Sequence, residues 1–354
     1  MPLYFDVTLA GRHRHLSGLQ RVSDQLRRAL RKKIGDELVP VRWRARGRGF
    51  CRGDTRAPVT LTREDHFISP EVFSPGERPG FFHGLEESGC CSAIIYHDAI
   101  PLKWPEITWP ESVARHPSYM KALARFHHIF AVSQSSAGEL EIYLDWLDIA
   151  ASPPISVLPL GADFADLSAR NWRHSPGNPP LILSVGILEP RKNQSQVLAL
   201  AKRLWDGGLE FELHFCGRVN PHFGKPVAAE IKRAQRLGYS VFHHSRQSDE
   251  LLLNCYAKAH FSVLNSKAEG FGLPLLESLW LGVPCLCSDL PSHAAMARRG
   301  GCRIVSSEEE MEESWMTWLC QETELEAATR EARERTVPLW ADTAESVLRW
   351  MREK

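Results

Sequence analysis

The amino-acid sequence predicts an α/β protein of two doubly wound domains in tandem, and three observations carry that prediction. The chain has 354 residues, 43% of them hydrophobic, enough for two cores of ordinary size. Short runs rich in Val, Ile and Phe alternate with helical periodicity along almost its whole length. A segment dense in Pro, Gly and Asn, LSARNWRHSPGNPPL over residues 167–181, interrupts the alternation midway.

In the first half, LYFDVTL, SAIIYHDAI, HHIFAVSQ and ISVLPLGAD read as strands, with LQRVSDQLRRALRKK and SSAGELEIYLDWL as helices between them. In the second half the strands are LILSVGIL, FELHFCG, YSVFHHS and HFSVLNS, and the helices are NQSQVLALAKRLWDG and SDELLLNCYAKA. The last of these opens on a Ser-Asp-Glu start signal. Strand alternating with helix is the pattern of parallel sheets covered on both faces. The boundary is expected near Ser175, giving an N-terminal domain over 1–174, a C-terminal domain over 175–337 and a final helix over 338–354. That helix is expected to bury Trp340, Val347, Leu348 and Met351 by crossing back to the first domain. Residues 47–80, rich in Arg, Pro and Gly with weak periodicity, are expected to be irregular or poorly ordered. Ligands bind such folds at the carboxyl ends of the strands, so the chemistry is expected in a cleft where the two domains face each other.

Lys and Arg together number 43, as do Asp and Glu, so the formal net charge is zero, which argues against a dedicated nucleic-acid binder. The charge is nonetheless polarised: basic residues dominate from Arg12 to Arg56, and glutamates from Ser306 to Glu326. Two solvated faces explain this, as does a basic N-terminal region that meets an anionic partner such as a bilayer surface. Nine cysteines form no paired C-x-x-C array, so no metal is expected, and their odd count suits a reducing compartment. The N-terminus MPLYFDVTLA lacks a signal-peptide pattern, and no apolar run reaches the roughly 18 residues of a membrane span. The expected location is cytoplasmic, with a peripheral position at the inner face of the membrane as a further expectation.

The stretch AEGFGLPLLESLWLGVPCLCSD, residues 268–289, sets Glu269 and Glu277 on either side of a Gly-Phe-Gly turn. Pro274 suits the first position of a short helix ending at Gly282, and Glu277 is expected in its first turn. Backbone N–H groups of Phe271, Gly272 and Leu273, with the positive end of the helix dipole, would bind phosphate oxygens. The two glutamates would then accept hydrogen bonds from ligand hydroxyls. The bland reading is that Glu277 complements the dipole and Glu269 is a solvated loop acid.

EGFGLPLLE resembles the E-x7-E motif of retaining glycosyltransferase family 4, which has the GT-B fold. The resemblance implies that Glu269 contacts hydroxyls of the donor sugar and Glu277 those of the nucleotide ribose. LSVGILEPRKNQSQVLAL resembles the same family's G-x-x-x-x-R-K-N segment, which implies that Arg191 and Lys192, after a strand ending at Gly186, bind the donor diphosphate. SGLQRVSDQLRRAL resembles the G-I-x-R loop, which closes over donor phosphates and acceptor; Gly18 and Arg21 are the matching positions, with Ser17 where many members have a second glycine. IIYHDAIPLKWPE resembles the H-D-x-x-P segment, which places His97 near the donor sugar and leaves Asp98 as a base or acceptor contact. ISVLPLGAD, with Gly161 and Asp163, and SQSSAGELEIYL resemble the segments leading to the interdomain linker. After SDLPSH the family usually carries a glutamate; this chain reads His293-Ala-Ala-Met-Ala.

The resemblance implies metal-independent transfer of a hexose, with retention, from a nucleotide diphosphate sugar, GDP- or UDP-linked, to a glycan or lipid-linked hydroxyl in surface polysaccharide synthesis. The Gly-x-Gln-Arg subgroup implies mannose. No cofactor is expected beyond that substrate. Two alternatives stand: a sugar-nucleotide 2-epimerase of the same architecture, and a non-catalytic nucleotide-sugar-binding protein. A nicotinamide dehydrogenase is disfavoured because no G-x-G-x-x-G follows the first strand.

Overall fold

The computed structural model describes residues 1–9, 18–47, 49–149, 152–164, 174–245 and 248–354. Contacts divide the chain into two compact units, Met1–Gly161 with Pro338–Lys354, and Ala162–Val337. Part of the linker segment, residues 167–173, and Ser17 of the N-terminal loop lie outside the described residues.

In the first unit the elements run β1 (Leu3–Asp6), α1 (Gly18–Ile34), β2 (Leu38–Arg44), β3 (Gly49–Arg52), β4 (Pro58–Val59), β5 (His66–Ser69), α2 (Phe81–Ser88), β6 (Cys91–Tyr96), α3 (Ile100–Lys103), α4 (Pro110–Leu123), β7 (His128–Ala131), α5 (Gln134–Trp146) and β8 (Ile155–Val157). They form one eight-stranded sheet in the order β4-β3-β2-β1-β5-β6-β7-β8. All pairings are parallel except β2 with β3 and β3 with β4. Residues 47–80 thus hold three strands and are not irregular. The periodicity is faint because two of those strands form a short antiparallel edge, while β5 is buried at all four positions and shows no alternation. The aromatic core of this unit lies beside that edge, where Trp43, Phe50, Phe73, Phe81 and Phe82 meet largely edge to face.

The second unit runs β9 (Leu181–Val185), α6 (Gln194–Asp206), β10 (Glu212–Cys216), α7 (Gly224–Arg236), β11 (Val241–His244), α8 (Asp249–Lys258), β12 (Ala259–Leu264), α9 (Leu273–Trp280), β13 (Cys285–Ser288), α10 (Pro291–Ala297), β14 (Cys302–Val305), α11 (Glu308–Cys320) and α12 (Glu322–Glu334). Its six strands are all parallel, in the order β11-β10-β9-β12-β13-β14. The chain therefore winds outward in one direction to β11, returns, and winds the other way from β12. The switch falls between β9 and β12, and crossover connections leave an open crevice at their carboxyl ends. As its sequence signal predicts, α8 starts on Ser248, whose side chain accepts a hydrogen bond from the Leu251 N–H.

The last helix, α13 (Trp340–Glu353), belongs to the first unit and packs on α1. Trp340, Val347 and Met351 are buried as expected, but Leu348 is only half-buried. Its place is taken by Trp350, which meets the rings of His66, His128 and Phe130. The wedge packs on the opening residues of the interior strands β5 and β7, a direction that a helical wheel does not specify.

Candidate active site

The site in the second unit grows from the two strands that flank the switch. β9 is buried at all five positions and ends at Gly186; a short 3-10 turn, Pro190–Lys192, then presents Arg191 and Lys192 before α6. Gly186 has φ +154°, and a Cβ there would lie 3.3 Å from Lys192 Cε. Glycine therefore lets the lysine side chain lie across the strand end. From β12 the chain passes through Ser266 and Glu269 into α9. The Lys267 N–H donates to the Arg191 carbonyl at 2.8 Å and fastens the two loops together.

Glu269 lies between the two cations. Arg191 Nη1 donates to Glu269 Oε2 at 2.9 Å and to the Ala268 carbonyl at 2.9 Å, and Lys192 Nζ pairs with Glu269 Oε1. Ser266 Oγ donates to the same carboxylate at 2.6 Å. Burial by itself would raise the Glu269 pKa, but the charges of Lys192 and Arg191 and their hydrogen bonds outweigh it and hold the carboxylate well below the usual range. The remaining guanidinium donors of Arg191 go to Glu189 Oε1, at 2.7 and 3.0 Å, and Glu189 Oε2 accepts from Asn220 Nδ2 at 2.9 Å. Two cations and two carboxylates thus balance at the carboxyl end of β9, so a dianionic ligand has to compete with Glu269 for them.

Gly272, with φ +101°, turns the chain into α9 and faces the ring of His293, whose Cδ2 and Nε2 would lie 3.0 and 3.1 Å from a Cβ there. Phe271, Gly272 and Leu273 open this helix as expected, but Pro274 is its second residue and Glu277 its fifth, so Glu277 is not in the first turn. It sits one turn deeper and is buried. His293, at the position where the resembled family has different chemistry nearby, is fully buried, and its Nδ1 is 3.0 Å from the Ser288 carbonyl. Burial pushes its pKa down. A cavity of about 230 Å³, lined among others by Asn265, Ser266, Ser288 and Asp289, opens beside the loop that carries Glu269.

The first unit holds the other candidates. His97 follows β6 and is 7% exposed; its Nε2 is 3.2 Å from the Pro70 carbonyl, and its own carbonyl accepts from Ser136 Oγ at 2.8 Å. Burial lowers its pKa, which favours the neutral imidazole. Asp98 is used locally: its Oδ1 accepts from the Ile100 N–H at 3.0 Å, a turn of the chain just ahead of α3. Gly18 is the exposed first residue of α1, and Arg21 is half-buried on the same helix.

Several residues at these strand ends were not singled out in the sequence. Arg78, 3% exposed, bridges Asp6 and Glu71; its Nη1 donates to Asp6 Oδ2 at 2.5 Å, and Glu71 accepts from the Leu9 N–H at 2.7 and 2.9 Å. This buried triad fixes the chain leaving β1, and both Glu71 and Arg78 lie in the stretch expected to be irregular. Glu189 and Ser266 were within reach, since each lies within three residues of a chosen candidate. Asn220, from a different strand end, carried no local signal.

Comparison with known proteins bears on this arrangement. The chain has the GT-B fold: it covers 100% of itself and 98% of sucrose-phosphate synthase from Thermosynechococcus elongatus with a TM-score of 0.73 at 15% identity. It aligns with the Anabaena protein HepE, solved with UDP and glucose, at a TM-score of 0.70 and 11% identity over the full length of both. WaaG, a glycosyltransferase of lipopolysaccharide biosynthesis, gives 0.63 at 14% identity over 97% of this chain and 98% of that one. Residues 169–335, nearly the whole second unit, match the family described as Glycosyl transferases group 1. The family match is thus carried by the second unit, and the chain as a whole shares the GT-B fold of these structures. Among curated relatives, the serotype-specific mannosyltransferase WbdA of Escherichia coli is 26% identical over 330 residues, 84% of this chain. The match takes in 38% of that protein, so the chain spans well under half the length of this relative.

Proposed function

We propose that the chain is a retaining glycosyltransferase that moves a hexose, mannose from GDP-mannose in the first instance, to a hydroxyl of a glycan or lipid-linked acceptor in surface polysaccharide synthesis. The observation that carries the proposal is Glu269 bound between Arg191 and Lys192 at the topological switch of the second unit. That arrangement offers cations to a diphosphate and, once they turn to it, a carboxylate to sugar hydroxyls. The E-x7-E reading assigns the ribose hydroxyls to Glu277, and the opening amides of α9 add partial positive charge beside the phosphates. The WbdA relative, named as a mannosyltransferase, supports the choice of sugar.

In the proposed reaction the bond between the anomeric carbon and the diphosphate oxygen breaks while the acceptor oxygen bonds to that carbon on the same face. The acceptor's proton passes to the departing phosphate oxygen. Charge builds on the diphosphate, and Arg191, which Glu189 also holds, and Lys192 stabilise it once they have turned from Glu269. These fixed cations take the part that a metal plays elsewhere, which is why the transfer is proposed to be metal-independent. From the first unit, Gly18, Arg21, His97 and Asp98 are proposed to contact the substrates. No helix among the described residues is long and apolar enough to cross a membrane; peripheral attachment through the basic N-terminal region is part of the proposal.

The test is a thermal-shift titration with GDP, UDP, ADP and dTDP on the wild type, Lys192→Ala and Glu277→Ala. A nucleotide at a hundred times its Kd raises stability by about 2.7 kcal/mol. The proposal expects one base to stabilise the wild type and neither variant, and then transfer from the matching sugar donor, unaffected by EDTA, with the anomer retained by NMR. A wild type that no nucleotide stabilises would remove its basis.

A further inference from the structure

We infer that the second unit carries a binding site for a zinc-class divalent metal ion, formed by His214, His244 and Cys255 where β10, β11 and α8 converge. The ligand atoms of these three residues all lie within 4.8 Å of one another. Cys216 stands next to them, its Sγ 3.6 Å from Cys255 Sγ.

The strands build this cluster by simple alternation. His214 and Cys216 are two residues apart on β10 and point to one face, while Leu213 and Phe215 point to the other and are fully buried in the core. His244 pairs with Cys216 across the β10–β11 ladder, which puts its side chain on the same face. Cys255 arrives from α8. Two strands and a helix therefore converge on one point through polar side chains where an all-apolar seam would have packed.

The spacing matches a tetrahedral ion. Zn–S bonds of about 2.3 Å and Zn–N bonds of about 2.05 Å give tetrahedral edges of roughly 3.8 Å between sulfurs and roughly 3.3 Å between nitrogens. The observed sulfur pair is 3.6 Å apart, and His244 Nε2 lies 3.1 Å from His214 Nδ1. The protonation pattern is suitable too. His214 Nε2 is 3.0 Å from Glu212 Oε2, so its proton goes to the carboxylate and the Nδ1 lone pair is left toward the cluster. A carboxylate behind a ligating histidine is the usual outer partner in such sites. Cys255 Sγ, 3.6 Å from Cys216 Sγ, is the soft ligand and would bind the ion as thiolate. Cys216 serves either as the donor that holds that thiolate or as the fourth ligand after rotating. The ion would pin α8 to the edge strand β11 and to β10. It takes no part in the transfer proposed above, and the inference stands or falls independently of that proposal.

The test uses the full chain, reduced and stripped with chelator, titrated with Co2+ alone and then with Zn2+. One equivalent of Co2+ is expected to give tetrahedral d–d bands and a thiolate-to-cobalt charge-transfer band, both discharged by Zn2+, with a rise in Tm on zinc addition. The Cys216→Ser/Cys255→Ser double variant should lose the charge-transfer band, while Cys320→Ser, at an exposed cysteine outside the cluster, should keep it. Glu212→Gln, at a partly exposed outer position that leaves the fold undisturbed, should weaken the metal about 10–100-fold. No cobalt spectrum in the wild type, or a charge-transfer band that survives in the Cys216→Ser/Cys255→Ser double variant, overturns the inference. So does a Glu212→Gln affinity equal to wild type.

Discussion

Replacing Glu269 with Gln keeps the shape of the side chain and removes its charge, so it isolates what the carboxylate does for Arg191 and Lys192. The side chains of Glu269, Lys192 and Arg191 are 8%, 11% and 21% exposed, so solvent screens the pairs only weakly. Two charge-assisted hydrogen bonds at roughly 1.5–3 kcal/mol each are at stake, and the amide oxygen still accepts one of them, leaving a loss of about 1.5–3 kcal/mol. For a unit of this size 1 kcal/mol moves Tm by about 2–4 °C, so the variant should melt roughly 3–12 °C lower. Calorimetry should show the gap narrowing in acid. The Glu269 pKa is depressed in the folded chain, so its contribution is complete above the ordinary carboxylate value of about 4.3 and fades as pH falls below it toward the folded value. Adding the nucleoside diphosphate that the wild type binds provides the sharper reading. In the wild type the diphosphate has to displace a carboxylate from both cations; in Glu269→Gln it meets cations without that competitor. The nucleotide-induced rise in Tm should therefore be larger in the variant, even though sugar transfer is lost. A variant that melts with the wild type, or gains less from nucleotide, would refute the picture of Glu269 as a stand-in anion.

Three further outcomes follow from the packing. Arg78→Met leaves Asp6 and Glu71 buried without their cation and should cost about 3–5 kcal/mol by denaturant melts; a cost below 1 kcal/mol would show that the triad is not what holds the strand end of β1. Trp350→Ala removes the wedge between His66, His128 and Phe130 and should cost about 3–5 kcal/mol, read as an earlier transition of the first unit with nucleotide binding unchanged. Gly217→Ala would put a methyl 1.8 Å from the Gly186 carbonyl oxygen and 2.4 Å from its carbon, so the strand end that leads to Arg191 and Lys192 must shift. That protein should lose nucleotide binding even where circular dichroism still shows native secondary structure.

The local elements were legible in the sequence because they depend on short-range physics. The buried strand β9, the Ser248 cap of α8 and the Gly272 turn into α9 each follow from residues within a few positions of one another. The candidate cations and Glu269 stand out through the resemblance of their stretches to the glycosyltransferase motifs; the glycine turn and the helix start by themselves leave the solvated reading open. What the sequence could not supply is which distant groups meet. Residues 47–80 looked irregular because a two-sided buried strand and a two-residue edge strand leave no period to detect. The start of α9 at Leu273, one residue before Pro274, moved Glu277 from the fourth helical position to the fifth and out of the first turn. The pairing of Glu269 with Arg191 and Lys192 joins positions about eighty apart, and the converging side chains of His214, His244 and Cys255 come from three separate elements. In each case the partners are brought together by strand order in the parallel sheet, which sequence periodicity does not encode and only the closed tertiary structure decides.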